Sequence, residues 1–263
     1  MRTPREVHRT GPHYLSAVTA LLQRGRSMHP TKGLYEAAEV QWWWARPRST
    51  DDVPQLFWFD GRGRPAAAVI ITDWRDWVTF DVIVLPDATP DWVAHVVERG
   101  RAHAAESGFD KVRLEIDRSD DELRDVLIGH GFEIEDPEEL VESWMAAPAR
   151  PLISALPDGY RLATRAETTG RPHHMVERSG PDVEQRLNQT SLYRADLDLL
   201  ILDRDDCPVA SGLFWFDPDN AIGVVEPMRT EDEHQRRGLA RHVLTAGIDL
   251  LVEAGAQRIK ICY

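Results

Sequence analysis

The chain has 263 residues, a formal net charge of −13, 42% hydrophobic and 8% aromatic residues, enough apolar material to bury a core in each of two domains. So acidic a chain is no general binder of nucleic acid, which needs clustered Lys and Arg, and no apolar run approaches the ~20 residues of a membrane span. Cys207 and Cys262 form neither a metal-ligand spacing nor a disulfide framework, and the N-terminus lacks the apolar core of a signal peptide, so the expected compartment is the reducing cytoplasm.

Two stretches share one order of elements. In the first, QLFWFD (55–60) predicts a strand, GRGRP a turn, AAAVIITDW a second strand and WVTFDVIVL a third. A helix follows through DWVAHVVERGRAHAAESG, then KVRLEI as a fourth strand. The continuation DRSDDELRDVLIGHGFEIEDPEELVESWM predicts a helix, a Gly-Phe turn and two strands completing that sheet. Proline-rich PARPLISALPDG (148–159) places a boundary near 150, giving domains 1–150 and 151–263. The second stretch opens on the strand YRLATRA and repeats the order in LDLLILD (197–203), the turn RDDCP, VASGLFWF, the turn DPDN, AIGVVEPM, a helix through RGLARHVLTAGIDLLVEAG, and QRIKIC. Strand, hairpin strand, strand, helix, strand makes the helix a crossover between the last two strands, which can lie parallel. The expected class is α/β with a mixed, α+β-like sheet, and a helix N-terminus at a strand's carboxyl end is where such folds bind ligands.

The second helix carries the informative residues. Ala240, Leu244, Ile248 and Leu251 step by four, four and three, predicting one face against the sheet. Its N-terminus, Gln235-Arg236-Arg237-Gly238-Leu239-Ala240, offers backbone amides and the positive end of the helix dipole to an anion. Small Gly238 and Ala240 keep the approach clear, and Arg236 and Arg237 add charge, so the turn suits a diphosphate. The spacing alone also admits a solvated arginine-rich turn with a packing glycine.

QRRGLA in this setting resembles the acetyl-CoA signature [QR]-x-x-G-x-[GA] of the GNAT superfamily of N-acetyltransferases, and VVEPMRTEDEHQRRGLARHVLTAGIDLLVEAGAQRIKICY resembles the family's strand, loop, helix and next strand in unbroken order. The resemblance is firm over 221–263, looser over 159–263, and over 1–148 is one of element order. It implies a tandem GNAT-like chain. The C-terminal domain would take acetyl-CoA as acyl donor, its pyrophosphate on the turn that Gln235 opens, against amides of Arg236, Arg237, Gly238, Leu239 and Ala240. The pantetheine arm would pair with the main chain of Met228, Arg229 and Thr230 as an added strand. The first copy has LPDATPDW (85–92) where the second has EHQRRGLA. Two prolines remove donors there and two aspartates repel a diphosphate, so that domain is expected to be degenerate.

The resemblance implies transfer of an acetyl group to the primary amine of a small molecule by direct attack, which needs a base and a donor to the thioester carbonyl. Glu226, two residues before the pantetheine segment, is the candidate base; it reads equally as a structural carboxylate. The backbone N–H of Met228 or its neighbour is the candidate carbonyl donor. Tyr193 and Arg194, where the family builds its acceptor wall, and Trp215 are candidate substrate contacts, Trp215 reading also as a core aromatic. His234, the run Trp42-Trp43-Trp44 and Cys207 are better explained as a loop histidine, packing aromatics and a thiol beside two aspartates. The other function class that stays open is a non-catalytic CoA- or ligand-binding protein keeping the fold.

The resemblance also implies elements after QRIKIC that carry the acid for the leaving thiolate. The expectation is therefore a further segment beyond Tyr263, or completion by another segment or by a partner chain in a homodimer, because QRIKIC alone would be an open edge. Tyr263 itself, at a strand end, is not assigned that role.

Overall fold

The structure, a computed structural model, describes residues 4–135 and 140–262. It divides into one unit of Met1–Val40 with Pro47–Pro137 and a second of Gln41–Arg46 with Glu138–Tyr263. In chain order the elements are β1 (Arg5–Arg9), α1 (Gly11–Met28), α2 (Ala37–Trp44), β2 (Gln55–Phe59), β3 (Pro65–Asp73), β4 (Val78–Val84), α3 (Pro90–Glu106), α4 (Asp121–Gly129), β5 (Glu142–Ala146), β6 (Arg161–Thr164), the short helices α5 (Val176–Ser179) and α6 (Val183–Leu187), β7 (Asp198–Leu202), β8 (Pro208–Asp217), β9 (Ile222–Thr230), α7 (Leu239–Glu253) and β10 (Arg258–Cys262). The fold is mixed α/β; the expected order is found in the second copy, while in the first it holds through α3 and α4 but KVRLEI and residues 132–135 form no strand. No helix among the described residues is long and apolar enough to cross a membrane.

The first unit is an antiparallel sheet in the order β1-β2-β3-β4. Val96 and Ala104 of α3 close its core with Leu56, Trp58, Val69, Ile71 and Phe80. KVRLEI departs from expectation. It alternates correctly, Val112, Leu114 and Ile116 packing inward, but makes one isolated parallel bridge, Thr79 to Arg113. That bridge rests on Phe80 N–H to Arg113 O at 2.7 Å and Arg113 N–H to Val78 O at 2.9 Å.

The second unit is a six-stranded sheet in the order β5-β10-β9-β8-β7-β6, antiparallel except for β9 beside β10. Strand β7 is buried at every position, as an interior strand with both faces covered must be. The crossover α7 packs on one face, joining Leu199, Ile201, Phe214, Val225 and Ile259 in one core. Contact is close because residue 247 is glycine: a Cβ there would meet the Phe214 ring at 2.1–2.3 Å.

Two expectations are corrected here. The strand ending in ESWM does not complete the first sheet. It is β5, and it pairs with β10 from Glu142 opposite Cys262 to Ala146 opposite Arg258. The outer side of β10 is thus a ladder rather than an open edge, and β5, although it precedes residue 150, belongs to the second sheet. Lys260, fully buried, adds an ion pair to Glu142 of β5 at 2.9 Å. On α7, Ile248 and Leu251 are buried and Leu244 packs against the core as expected, but Ala240 is exposed and Leu239 takes its place in the core. Tyr263, and the part of the Gly-Phe continuation at 136–139, lie outside the described residues.

Candidate active site

Strand β9 has two regimes. From Ile222 to Val225 it is flanked by β8 and β10, the β10 partners being Arg258 to Ile261. At Glu226–Pro227 the pairing with β8 shifts register, so that Val225 stands opposite Phe214 but Met228 opposite Gly212. Beyond that irregularity Met228, Arg229 and Thr230 stay paired to β8, and the β10 ladder has ended. Main-chain groups on that side of β9 are positioned to accept an added strand. Thr230 Oγ1 is buried there with no hydrogen-bond partner.

A short 3-10 turn, Asp232–His234, leads into α7. Arg236 and Gly238 have φ of +59° and +83°, and no side chain caps the helix. Left-handed Gly238 before helical Leu239 turns neighbouring amides to one side, an arrangement that binds anions. A Cβ at Gly238 would meet nothing within 4 Å, so glycine is required here by backbone conformation, and the space above it is open. The turn from Gln235 to Gly238 is exposed.

The signature side chains do more for the loop than the sequence suggests. Gln235 donates to Thr230 O at 3.4 Å and to Asp232 Oδ1 at 3.0 Å. Arg237 donates to Glu233 O at 2.9 Å and to the Tyr160 hydroxyl at 2.8 Å, and that hydroxyl lies 3.0 Å from His234 Nδ1. Arg178 grips Glu231 at 2.7–2.8 Å and holds its carboxyl below the ordinary range. Arg236 is exposed on the turn, beside the exposed Arg237.

On the sheet face away from α7 the structure brings Trp215 and Tyr193 together, beside the main chain of Glu226. Val225 belongs to the α7 core, and Glu226 follows it at the register shift. Trp215, fully buried, donates its indole N–H to Glu226 O at 2.8 Å. Tyr193 stands edge-on to Trp215, ring centres 6.2 Å apart. Arg194, next to Tyr193 in the chain, is exposed and paired with Asp196 at 2.5 Å. Trp44 is buried, stacked under Arg186 at 3.8 Å with its indole N–H on Gln189, and Cys207 is exposed.

Sequence reasoning missed the polar cluster beside Tyr193. Asp198 is fully buried, and its Oδ2 accepts from the Tyr193 hydroxyl at 3.0 Å and from His173 Nε2 at 2.9 Å. His174 stacks on His173 at 4.5 Å and holds Nε2 3.5 Å from Asp198 Oδ1. Burial lowers the His174 pKa to about 4, and burial with the Asp198 charge raises Tyr193. The available signal was an aspartate opening the otherwise apolar strand DLLIL, with a His-His pair upstream.

The first unit's α3 contrasts with α7 at the equivalent end. Thr89 caps it by accepting from Trp92 N–H, and proline follows the cap.

The profile of the Acetyltransferase (GNAT) family matches residues 157–263, the segment that contains every residue of this site. A search of curated protein sequences returns no match. Among solved structures, the chain is similar to a tandem GNAT protein from the clavulanic acid biosynthesis pathway, with TM-score 0.62 and 12% identity over 98% of this chain and 89% of that one. It is similar also to a GCN5-related N-acetyltransferase from Sphaerobacter thermophilus, with TM-score 0.53 and 14% identity over 98% and 86%. These likenesses are of fold.

Proposed function

We propose, because residues 157–263 match the profile of the Acetyltransferase (GNAT) family, that the second unit transfers an acetyl group from acetyl-CoA to the primary amine of a small molecule. One observation carries the reading: the uncapped start of α7, with left-handed Gly238 under open space, lies just after the part of β9 that β10 leaves unpaired. These residues fit the donor. Amides from Arg236 to Ala240 would hold its diphosphate beside the Arg236 charge, with Gln235 bracing the loop, and main-chain groups of Met228, Arg229 and Thr230 would pair with the pantetheine arm. Bound there, acetyl-CoA supplies an activated acyl group.

The chain's own residues do the rest. Glu226 takes the proton of the attacking amine, directly or through a water. The Trp215 indole fixes the Glu226 carbonyl and hence the strand where it shifts register. Tyr193 forms the acceptor side with Trp215, and Arg194 stands at its rim. The first unit reads as a degenerate copy of the same domain, its helix start occupied by Thr89 and Pro90.

The test is thiol release from acetyl-CoA across a panel of small primary amines, with acetylated product identified by mass. Release that depends on an amine supports the reading. Tight binding of acetyl-CoA without release for any amine favours a protein that keeps the fold to bind CoA, and no binding overturns both.

A further inference from the structure

The Asp198 cluster is the least satisfied polar group among the described residues. Asp198 Oδ1 and His174 Nδ1 are both buried without a hydrogen-bond partner, and a buried acceptor without a donor is costly. The groups that touch Asp198 are neutral. His173 accepts from Met175 N–H on Nδ1 at 3.2 Å, so its other nitrogen carries the proton it gives to Asp198. Tyr193 is a phenol, and His174 is neutral well below pH 7. Arg165, the nearby cation, is engaged with Glu184 at 2.6 Å and Thr168 O at 2.5 Å. A buried carboxylate is therefore held by neutral donors, with one of its oxygens and a neighbouring imidazole lone pair open.

The chemistry that completes such a pair is a cation that also donates hydrogen bonds. His173, His174 and Asp198 do lie close enough together to share a metal ion. But the Met175 N–H occupies the lone pair that His173 would need to free its other nitrogen as a ligand. Two donor residues remain, too few for a tight transition-metal site. A water supplies donors but no charge. An ammonium group supplies both, and Tyr193 and Trp215 offer it aromatic surface.

The position fits one end of an acceptor. Asp198 is opposite Leu213, and the adjoining Gly212 is opposite Met228, so the cluster lies two strands from β9, roughly 10 Å at the usual strand spacing. Tyr193 touches both Asp198 and Trp215, and Trp215 reaches the main-chain carbonyl of Glu226, which links the cluster to β9 at the register shift. Tyr193 is half-buried, and the His174 side chain is 7% exposed.

We infer that His174 and Asp198 form a subsite for a second, cationic amino group of the acceptor, making the preferred substrate a diamine or polyamine rather than a monoamine. The inference rests on the acetyltransferase reading for the reacting end of that substrate but not for binding at the cluster.

The experiment uses α,ω-diaminoalkanes of graded length and the matching n-alkylamines, with the full chain in the presence of CoA, and reads binding by calorimetry and acetylation separately. Expected are diamine binding stronger than monoamine binding by about tenfold or more, the effect of one charge-assisted hydrogen bond, and an optimum near a nitrogen–nitrogen span of roughly 10 Å. Asp198→Asn, and His174→Phe as the ring-preserving alternative, should collapse that preference. Should neither variant fold, as judged by circular dichroism, the length dependence in the unaltered protein still decides. A flat length dependence, or a preference that survives in folded variants, overturns the subsite. So does stoichiometric zinc retained on dialysis and lost in Asp198→Asn. Diamine binding with no acetyl transfer supports the subsite and refutes the transferase reading, whereas equal transfer to mono- and diamines does the reverse.

Discussion

Replacing Gly238 by Asn and by Asp separates backbone strain from electrostatics at the α7 start. At φ of +83°, either residue sits in the left-handed region that Asn and Asp tolerate best, at a cost of about 1 kcal/mol. A Cβ there meets nothing within 4 Å, so the two variants share strain and bulk and differ by one charge. If a phosphate charge sits ~6 Å from the new carboxylate, Coulomb's law gives about 0.7 kcal/mol at the dielectric of water and about 3 kcal/mol at an effective value of 20. Asp should therefore weaken acetyl-CoA about three- to a hundredfold more than Asn, and the gap should narrow as salt is raised. Calorimetry on the two variants at low and moderate ionic strength measures it directly. Equal dissociation constants, or a second acetyl-CoA site per chain, would refute the diphosphate assignment.

Three further outcomes are expected. Glu226→Gln keeps shape but cannot accept a proton, so turnover should fall ~100-fold or more with acetyl-CoA affinity little changed; near-normal turnover leaves Glu226 a structural carboxylate. Gly247→Ala drives a methyl into the buried Phe214 ring and should destabilise the second unit by about 1–3 kcal/mol, read as a lower melting temperature; an unchanged melt would show that α7 can lift off the sheet. In the first unit burial raises Asp81 from 3.8 to about 7, with Tyr35 and Thr79 donating to its oxygens. The folded state thus holds this proton more tightly than the unfolded chain, so stability should fall as pH rises from about 4 to about 7. The cost, of order 4 kcal/mol, should be fully present above that range; urea titrations of Asp81→Asn should show a flatter pH dependence, and an identical slope would place the titration elsewhere.

How much was legible depended on whether the determinant was local. The run from Asp198 to Cys262 could be read because period-two apolar strands, Asp- and Gly-bearing turns and a four-residue helical step are written in adjacent residues. Only the first position of the α7 face was misjudged, Leu239 rather than Ala240 entering the core, because Gly238 adopts a left-handed conformation that fixes where the helix begins, and a stepping pattern does not reveal that. The fate of ESWM was not legible at all. Five residues of modest apolarity can pair with any exposed edge, and nothing within them specifies β10, more than a hundred residues later. Glu226 was singled out for its neighbours in sequence. Asp198, His173 and His174 are brought together only by the fold, although an aspartate at the head of a wholly buried strand is a local anomaly that demands a partner.

The two helix starts differ in what satisfies their first amides, and that difference is testable. Every helix begins with amides that its own backbone does not satisfy. Helix α3 satisfies one of them with Thr89 and forgoes another by placing a proline after the cap, whereas α7 begins at an exposed glycine with no side-chain cap. With glycine at the cap position the missing side chain costs only about a few tenths of a kcal/mol, and an anion bound at those amides would offset it. Acetyl-CoA should accordingly stabilise the second unit by about 2.7 kcal/mol at a hundredfold excess over its dissociation constant, a rise of roughly several degrees for a unit of this size. Hydrogen exchange assigns the effect: α7 amides should slow on adding acetyl-CoA while α3 amides keep their rates. Equal slowing in both helices would mean that the first unit also binds the donor, and slowing confined to α3 would reverse the assignment of the two units.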